Sequence, residues 1–236
     1  MNIAHADSFD HAANSGRRGI SSETLTCDKT FHMNYDFLVS AYQTERLKVL
    51  SVWSMFRDED MNTRPHPEDR RGRNVREQMI HQCLSEDLWF RRFFGIDVGT
   101  QELPKEETRL AFIQKYGADS EHRARILATQ KADWWEQEVD FFKTARTRAW
   151  VMVRRIAHTA HHRGQQTALL RMLNREIYST YGPTADTGGL PKHGALTIYP
   201  YADVESLIAR ESTGGAKTPL PEPPNGPLTE RGTGTE

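Results

Sequence analysis

Cysteine is nearly missing from this chain: Cys27 and Cys83 are the only two in 236 residues. Two thiols cannot build a disulfide framework, and a reduced, cytoplasmic protein is expected. An excess of one charge is missing too. Lys and Arg number 31 against 32 Asp and Glu, for a formal net charge of −1, and no basic block stands in the sequence. A nucleic acid held by electrostatics is therefore not an expected partner. No apolar run approaches the roughly 20 residues that span a bilayer, and the N-terminus lacks a signal-peptide apolar core, so no membrane is expected either. Long period-two alternation is absent, which leaves helices to build the core.

What is present is helical periodicity in the middle of a polar chain. The mean hydropathy of −0.71 is low because the two ends are polar. Residues 1–32 carry no sustained pattern and read as disordered, or as sequence upstream of the true start, since Met33-Asn34-Tyr35 opens the first amphipathic segment. Helices are expected over about 35–58, 74–94, 106–142 and 144–173. Asn74 serves as N-cap and Gly95 as stop of the second, and a break near Tyr116-Gly117-Ala118-Asp119 interrupts the third. Four such helices make an all-α four-helix bundle over 33–176. From 177 to 211 a Gly/Pro-rich stretch holding Tyr178, Tyr181, Tyr199 and Tyr201 reads as an ordered arm, with a short helix at about 202–210. The Pro-, Gly- and Thr-rich tail, 212–236, reads as disordered.

The chemistry concentrates in Ile156-Ala157-His158-Thr159-Ala160-His161-His162-Arg163-Gly164-Gln165. His158 and His162, four apart, project from nearly one face of the fourth helix, on a stripe continued by Val151, Leu169 and Leu173. Two imidazoles one turn apart on a core-facing stripe are half of a metal site; read blandly, they are core histidines that each need a buried partner. His161, about 60° around the helix, belongs at the rim. Arg163 points away and suits a structural ion pair. A zincin is excluded, because Thr159 stands where H-E-x-x-H needs its glutamate.

A catalytic metal takes three protein ligands and keeps one position open. His81, mid-way along the second helix with Leu84, Ser85 and Leu88 on its face, is the best third ligand. Cys83, two residues on, faces away from it. His193, in the arm, is a weaker candidate.

His81 with Glu86 and Trp89-Phe90, followed by His158-x-x-x-His162-Arg163-Gly164-Gln165, resembles the DinB/YfiT-like family over about residues 35–175. The resemblance implies up-down-down-up connectivity and a three-histidine divalent metal site of His81, His158 and His162. Members of understood chemistry use low-molecular-weight thiols, as S-transferases or as a mycothiol-dependent maleylpyruvate isomerase. The expectation of a low-molecular-weight thiol cosubstrate comes from that resemblance alone. A divalent ion on three neutral imidazoles keeps its +2 charge, and can hold a thiol as thiolate for transfer to an electrophile or activate water for hydrolysis. Zn, Ni, Co or Fe(II) would fit. Glu86, Asp87 and Gln165 are the acid-base or supporting candidates. The expected activity is metal-dependent thiol transfer to a small-molecule electrophile. The alternatives are a metal-dependent hydrolase and a non-catalytic metal-binding stress-response bundle; a homodimer is plausible for any of them.

Overall fold

The computed structural model describes residues 34–222, so the expectations for 1–32 and for the tail beyond 222 lie outside the described residues. The described elements run α1 (Asp36–Met55), α2 (Val75–Trp89), α3 (Arg109–Leu127), α4 (Ala132–Glu136), β1 (Glu138–Phe141), β2 (Thr144–Thr147), α5 (Arg148–Met172) and α6 (Val204–Glu211), with short 3₁₀ turns between some of them. Among these residues no helix is long and apolar enough to cross a membrane.

The four long helices form the bundle. Glu45 pairs with Arg163, and Asp60, just past α1, meets Arg175, just past α5, so α1 and α5 run parallel. Gln78 touches Gln165 while Arg148 reaches the Phe93 carbonyl, so α2 runs against α5. Arg46 bonds Ser120 and Trp53 packs on Tyr116, so α3 runs against α1. The connectivity is up-down-down-up. The apolar stripes meet in a core of Val49, Val52, Trp53, Met79, Phe112, Ile113, Leu169 and Leu170. A second cluster, around Leu38, Tyr42, Phe90, Trp135 and Val151, fills the other end.

Asn74 caps α2 as expected: its Oδ1 accepts from the Glu77 N–H while the Glu77 carboxylate accepts from the Asn74 N–H. Gly95 ends the segment at φ 66°. Between them, Phe90–Phe94 is a π turn, in which the Gly95 N–H reaches the Phe90 carbonyl.

Three expectations are corrected. The third helix is not broken at 116–119, and it ends at Leu127 instead of 142. Gly117 is there for packing: a Cβ would sit 2.5 Å from Ile208 Cδ1, so the missing side chain lets α6 lie close over α3. The expected last turns of that helix are α4 followed by an antiparallel hairpin, β1 and β2, paired from Glu138↔Thr147 to Phe141↔Thr144. Four-residue strands are too short to show period two. Their connecting turn, Phe142-Lys143, takes left-handed φ of 50° and 71° without Gly or Asn to announce it. α5 consequently begins at Arg148, capped by Thr147, and not at 144.

Past α5 the chain folds back over the bundle. Ile177, Tyr178 and Tyr201 are buried in its core, and Ser179 and Ile198 bond to each other in both directions at 2.8 Å. The chain does not come loose at Ser212. Thr218 bonds Pro200 and accepts from the Tyr178 hydroxyl on its carbonyl, and Leu220 packs on the core.

Candidate metal centre

The antiparallel pair α2 and α5 brings His81, His158 and His162 together. His162 Nε2 stands 3.0 Å from His81 Nε2 and 3.2 Å from His158 Nε2. One ligand atom from each ring lies within 4.8 Å of the others. Ligand nitrogens about 2.0–2.1 Å from one tetrahedral ion are about 3.3 Å apart, close to these spacings. Core histidines with separate partners do not describe this cluster. The three rings turn their nitrogens on one another, and His158 Nδ1 is buried with no partner at all.

The hydrogen bonds orient one of the rings. His162 Nδ1 donates to Gln78 Oε1 at 3.1 Å and to Gln165 Oε1 at 3.2 Å. Acceptors on that side place the proton on Nδ1 and leave Nε2 with a free lone pair facing the other two imidazoles. Gln78 Nε2 donates to Gln165 Oε1 at 3.0 Å and Gln165 Nε2 donates to His161, so the two amides form one bracket. This is the arrangement by which outer groups fix the tautomer of a ligand histidine.

All three rings are held neutral. Burial, followed by the positive charges of Arg73 and Arg155, brings His81 down to about 4. Burial and then Arg155 bring His158 to about 3, and burial and then the neighbouring histidines bring His162 to about 4. The donor set is therefore three lone pairs at neutral pH, the composition a divalent ion needs. Among the described residues no Asp, Glu or Cys joins the cluster.

Glu86 does not reach it. Its carboxylate lies fully buried one turn further on. Oε1 accepts from Tyr42 at 2.6 Å and Arg123 at 3.4 Å, and Oε2 from Tyr116 at 2.8 Å and Arg155 at 3.3 Å. Both oxygens are committed, and Glu86 is the hub of a buried polar network set apart from the three histidines. Asp87 is likewise taken, by Arg123 and Arg91. Gln165 is at the centre, as a holder of His162. Arg163 pairs with Glu45, and His161 is exposed beside His162, both as expected. Cys83 sits in the core on the other side of α2, where burial pushes its thiol up to about 12. The His193 side chain lies outside the described residues.

Two participants were missed in the sequence. Gln78 lies three residues before His81, and Arg155 three before His158; that helical spacing was the available signal. Arg155 joins the Glu86 hub to the centre, bonding Ser85 Oγ at 3.1 Å and lying over the Trp89 ring.

Fold and cluster together define a four-helix bundle protein with a three-histidine centre between two antiparallel helices. The DinB family model matches residues 28–189, and the chain belongs to the DinB family. Its structure is similar to the crystal structure of a DinB-like protein from Bacillus cereus ATCC 10987, with a TM-score of 0.53 and 15% identity. The match covers 62% of this chain and 97% of that one. At such identity the likeness speaks for the fold alone. Among curated proteins there is no match.

Proposed function

We propose that this DinB-family chain is a metal-dependent enzyme whose ligands are His81, His158 and His162, and that it activates a small thiol for transfer to an electrophile. The observation carrying the proposal is the convergence of three neutral Nε2 atoms at 3.0 and 3.2 Å, with one ring oriented by paired glutamines. A divalent ion on such a set supplies Lewis acidity and keeps its full +2 charge, which favours the thiolate form of a small thiol at neutral pH. The chain contributes the rest. Gln78 and Gln165 hold His162, Arg155 orders the α2 face beside it, and burial keeps protons off the donors.

Thiol chemistry suits this centre better than hydrolysis. Water attack is commonly assisted by a nearby carboxylate base, and the two carboxylates of this segment, Glu86 and Asp87, are bound by arginines and tyrosines. A closed structural site would need a fourth protein ligand, and none is present among the described residues.

The test has two stages. Elemental mass spectrometry of the full chain should find about one divalent ion, lost in a folded His158→Ala/His162→Ala variant. Cobalt-loaded protein is then titrated with small thiols. A thiolate-to-cobalt charge-transfer band supports the reading. Ester or amide turnover without thiol, and no such band, would move the assignment to hydrolysis.

A further inference from the structure

Beside the histidine cluster, a row of aromatic rings runs from Trp89 and Phe141, which pack one side on the bundle core, out to the exposed Phe142 and Trp150. Trp89 stacks on His158, with centroids 5.8 Å apart and planes 22° from parallel. Phe141 stands edge-on to Trp89 at 5.3 Å and Trp150 edge-on to Phe141 at 5.3 Å. Phe142 closes the row against Phe93 at 5.4 Å. Three separate segments, α2, the hairpin tip and the start of α5, thus give rings to one surface that begins at a histidine of the centre.

This surface is only half covered. Phe142 is 55% exposed and Trp150 40%. Exposed apolar side chains gathered in one place mark a binding surface more often than the same residues scattered singly. The hairpin tip adds a second sign. Phe142 and Lys143 both hold positive φ in a two-residue turn that ordinarily takes Asn-Gly. A bulky aromatic residue in the left-handed region is strained, and such strain collects at functional positions. Asp140 Oδ1 accepts from the Lys143 N–H at 2.6 Å and pins the turn in place. The strained backbone presents the Phe142 ring at the outer end of the wall.

We propose that Trp89, Phe141, Phe142 and Trp150 form the acceptor subsite of the histidine centre and take a flat aromatic group of the electrophile. The assignment rests on the metal-centre reading above. The stacking of Trp89 on His158 chooses this occupant, because it sets the row of aromatic rings next to the histidine cluster. Offset and edge-to-face contacts favour an aromatic ring over an aliphatic chain of equal size. An electrophile with its leaving group on or next to an aromatic ring is the substrate class that fits.

Two metal-binding probes that differ only in this group provide the test. Acetohydroxamate and benzohydroxamate are titrated into cobalt-loaded full-length protein, and binding is read from the cobalt absorption spectrum. Benzohydroxamate should bind about tenfold tighter or more. Phe142→Ala and Trp150→Ala, both at exposed positions, should each shrink that ratio severalfold and leave acetohydroxamate unchanged. Equal affinities in the wild type, or a ratio that neither substitution moves, would overturn the subsite while leaving the metal centre standing. Failure to bind cobalt or either hydroxamate would instead remove the metal centre, and the subsite with it. A dimer in sedimentation that Phe142→Asp splits would also overturn the proposal, because the wall would then be an interface between copies.

Discussion

Gln78 Oε1 lies 3.1 Å from His162 Nδ1, across the gap between two antiparallel helices. That contact decides which nitrogen of His162 carries the proton, and hence whether its lone pair faces His81 and His158. Gln78→Leu combined with Gln165→Leu removes both acceptors. Metal affinity is expected to fall about 10–100-fold, with the helical circular-dichroism signal intact. Competition against a chromogenic chelator measures it; unchanged affinity would mean the amides are bystanders.

The second prediction concerns Glu86. One carboxylate takes hydrogen bonds from α1, α3 and α5 at once, and Arg155 is as deeply buried as its partner. Glu86→Gln leaves guanidinium charge without its counterion, and is expected to lower unfolding free energy by about 3–5 kcal/mol. Urea denaturation reads this directly. Removing the metal with a chelator should, by contrast, leave the bundle folded, since the hub and the apolar core do not include the three histidines.

Acid should loosen one end of the bundle, where α1 and α5 finish and α3 begins. Burial raises the Asp60 carboxyl, but the Arg175 side chain and the Arg57 N–H outweigh it and hold it below its ordinary value. Burial likewise raises Glu211, and Tyr201, Arg109 and Lys217 together bring it below its ordinary value. In both cases the unfolded chain binds protons more readily than the folded one. Their stabilisation is therefore present above about pH 4–4.5, the unfolded carboxylate range, and is lost as pH falls through the lower folded values. Asp60→Asn should flatten this part of the pH–stability curve, as followed by urea midpoints from pH 6 to pH 3. A curve as steep as the wild type's would count against the assignment.

Cys83 should be chemically silent. With burial lifting its thiol to about 12, only about one molecule in ten thousand is thiolate at pH 8. In a Cys27→Ser background, iodoacetamide should label the native protein orders of magnitude more slowly than the urea-unfolded one. Fast native labelling would show that the core opens at this position.

The bundle and the centre were legible because their signals are periodic. His158 and His162 at i, i+4, with His81 on an inward face, follow from helix geometry alone, and a long helix with an Asn cap and a Gly stop has few alternatives. The hairpin was not legible. Val139 and Phe141 alternate for only two repeats, and the turn residues Phe142 and Lys143 work against their usual preferences. Gly117 misled for a related reason. A glycine in a helix reads as a break unless the Ile208 side chain packed against it, some ninety residues away in sequence, is already known. Glu86 looked available because sequence shows a carboxylate near a histidine but not the two arginines and two tyrosines that come to it from other helices.

The π turn at Phe90–Phe94 amounts to one extra residue threaded into a continuous helix. Everything after it is rotated by about 100° from the phase set before it. His81 and Trp89 belong to the first phase; Phe93 and Phe94 belong to the second. A single-codon deletion among Arg91 and Arg92, both exposed, would therefore re-aim the downstream rings without moving the histidine. The aim of the residues before the turn and the aim of the core rings after it, Phe93 and Phe94, are thus set independently.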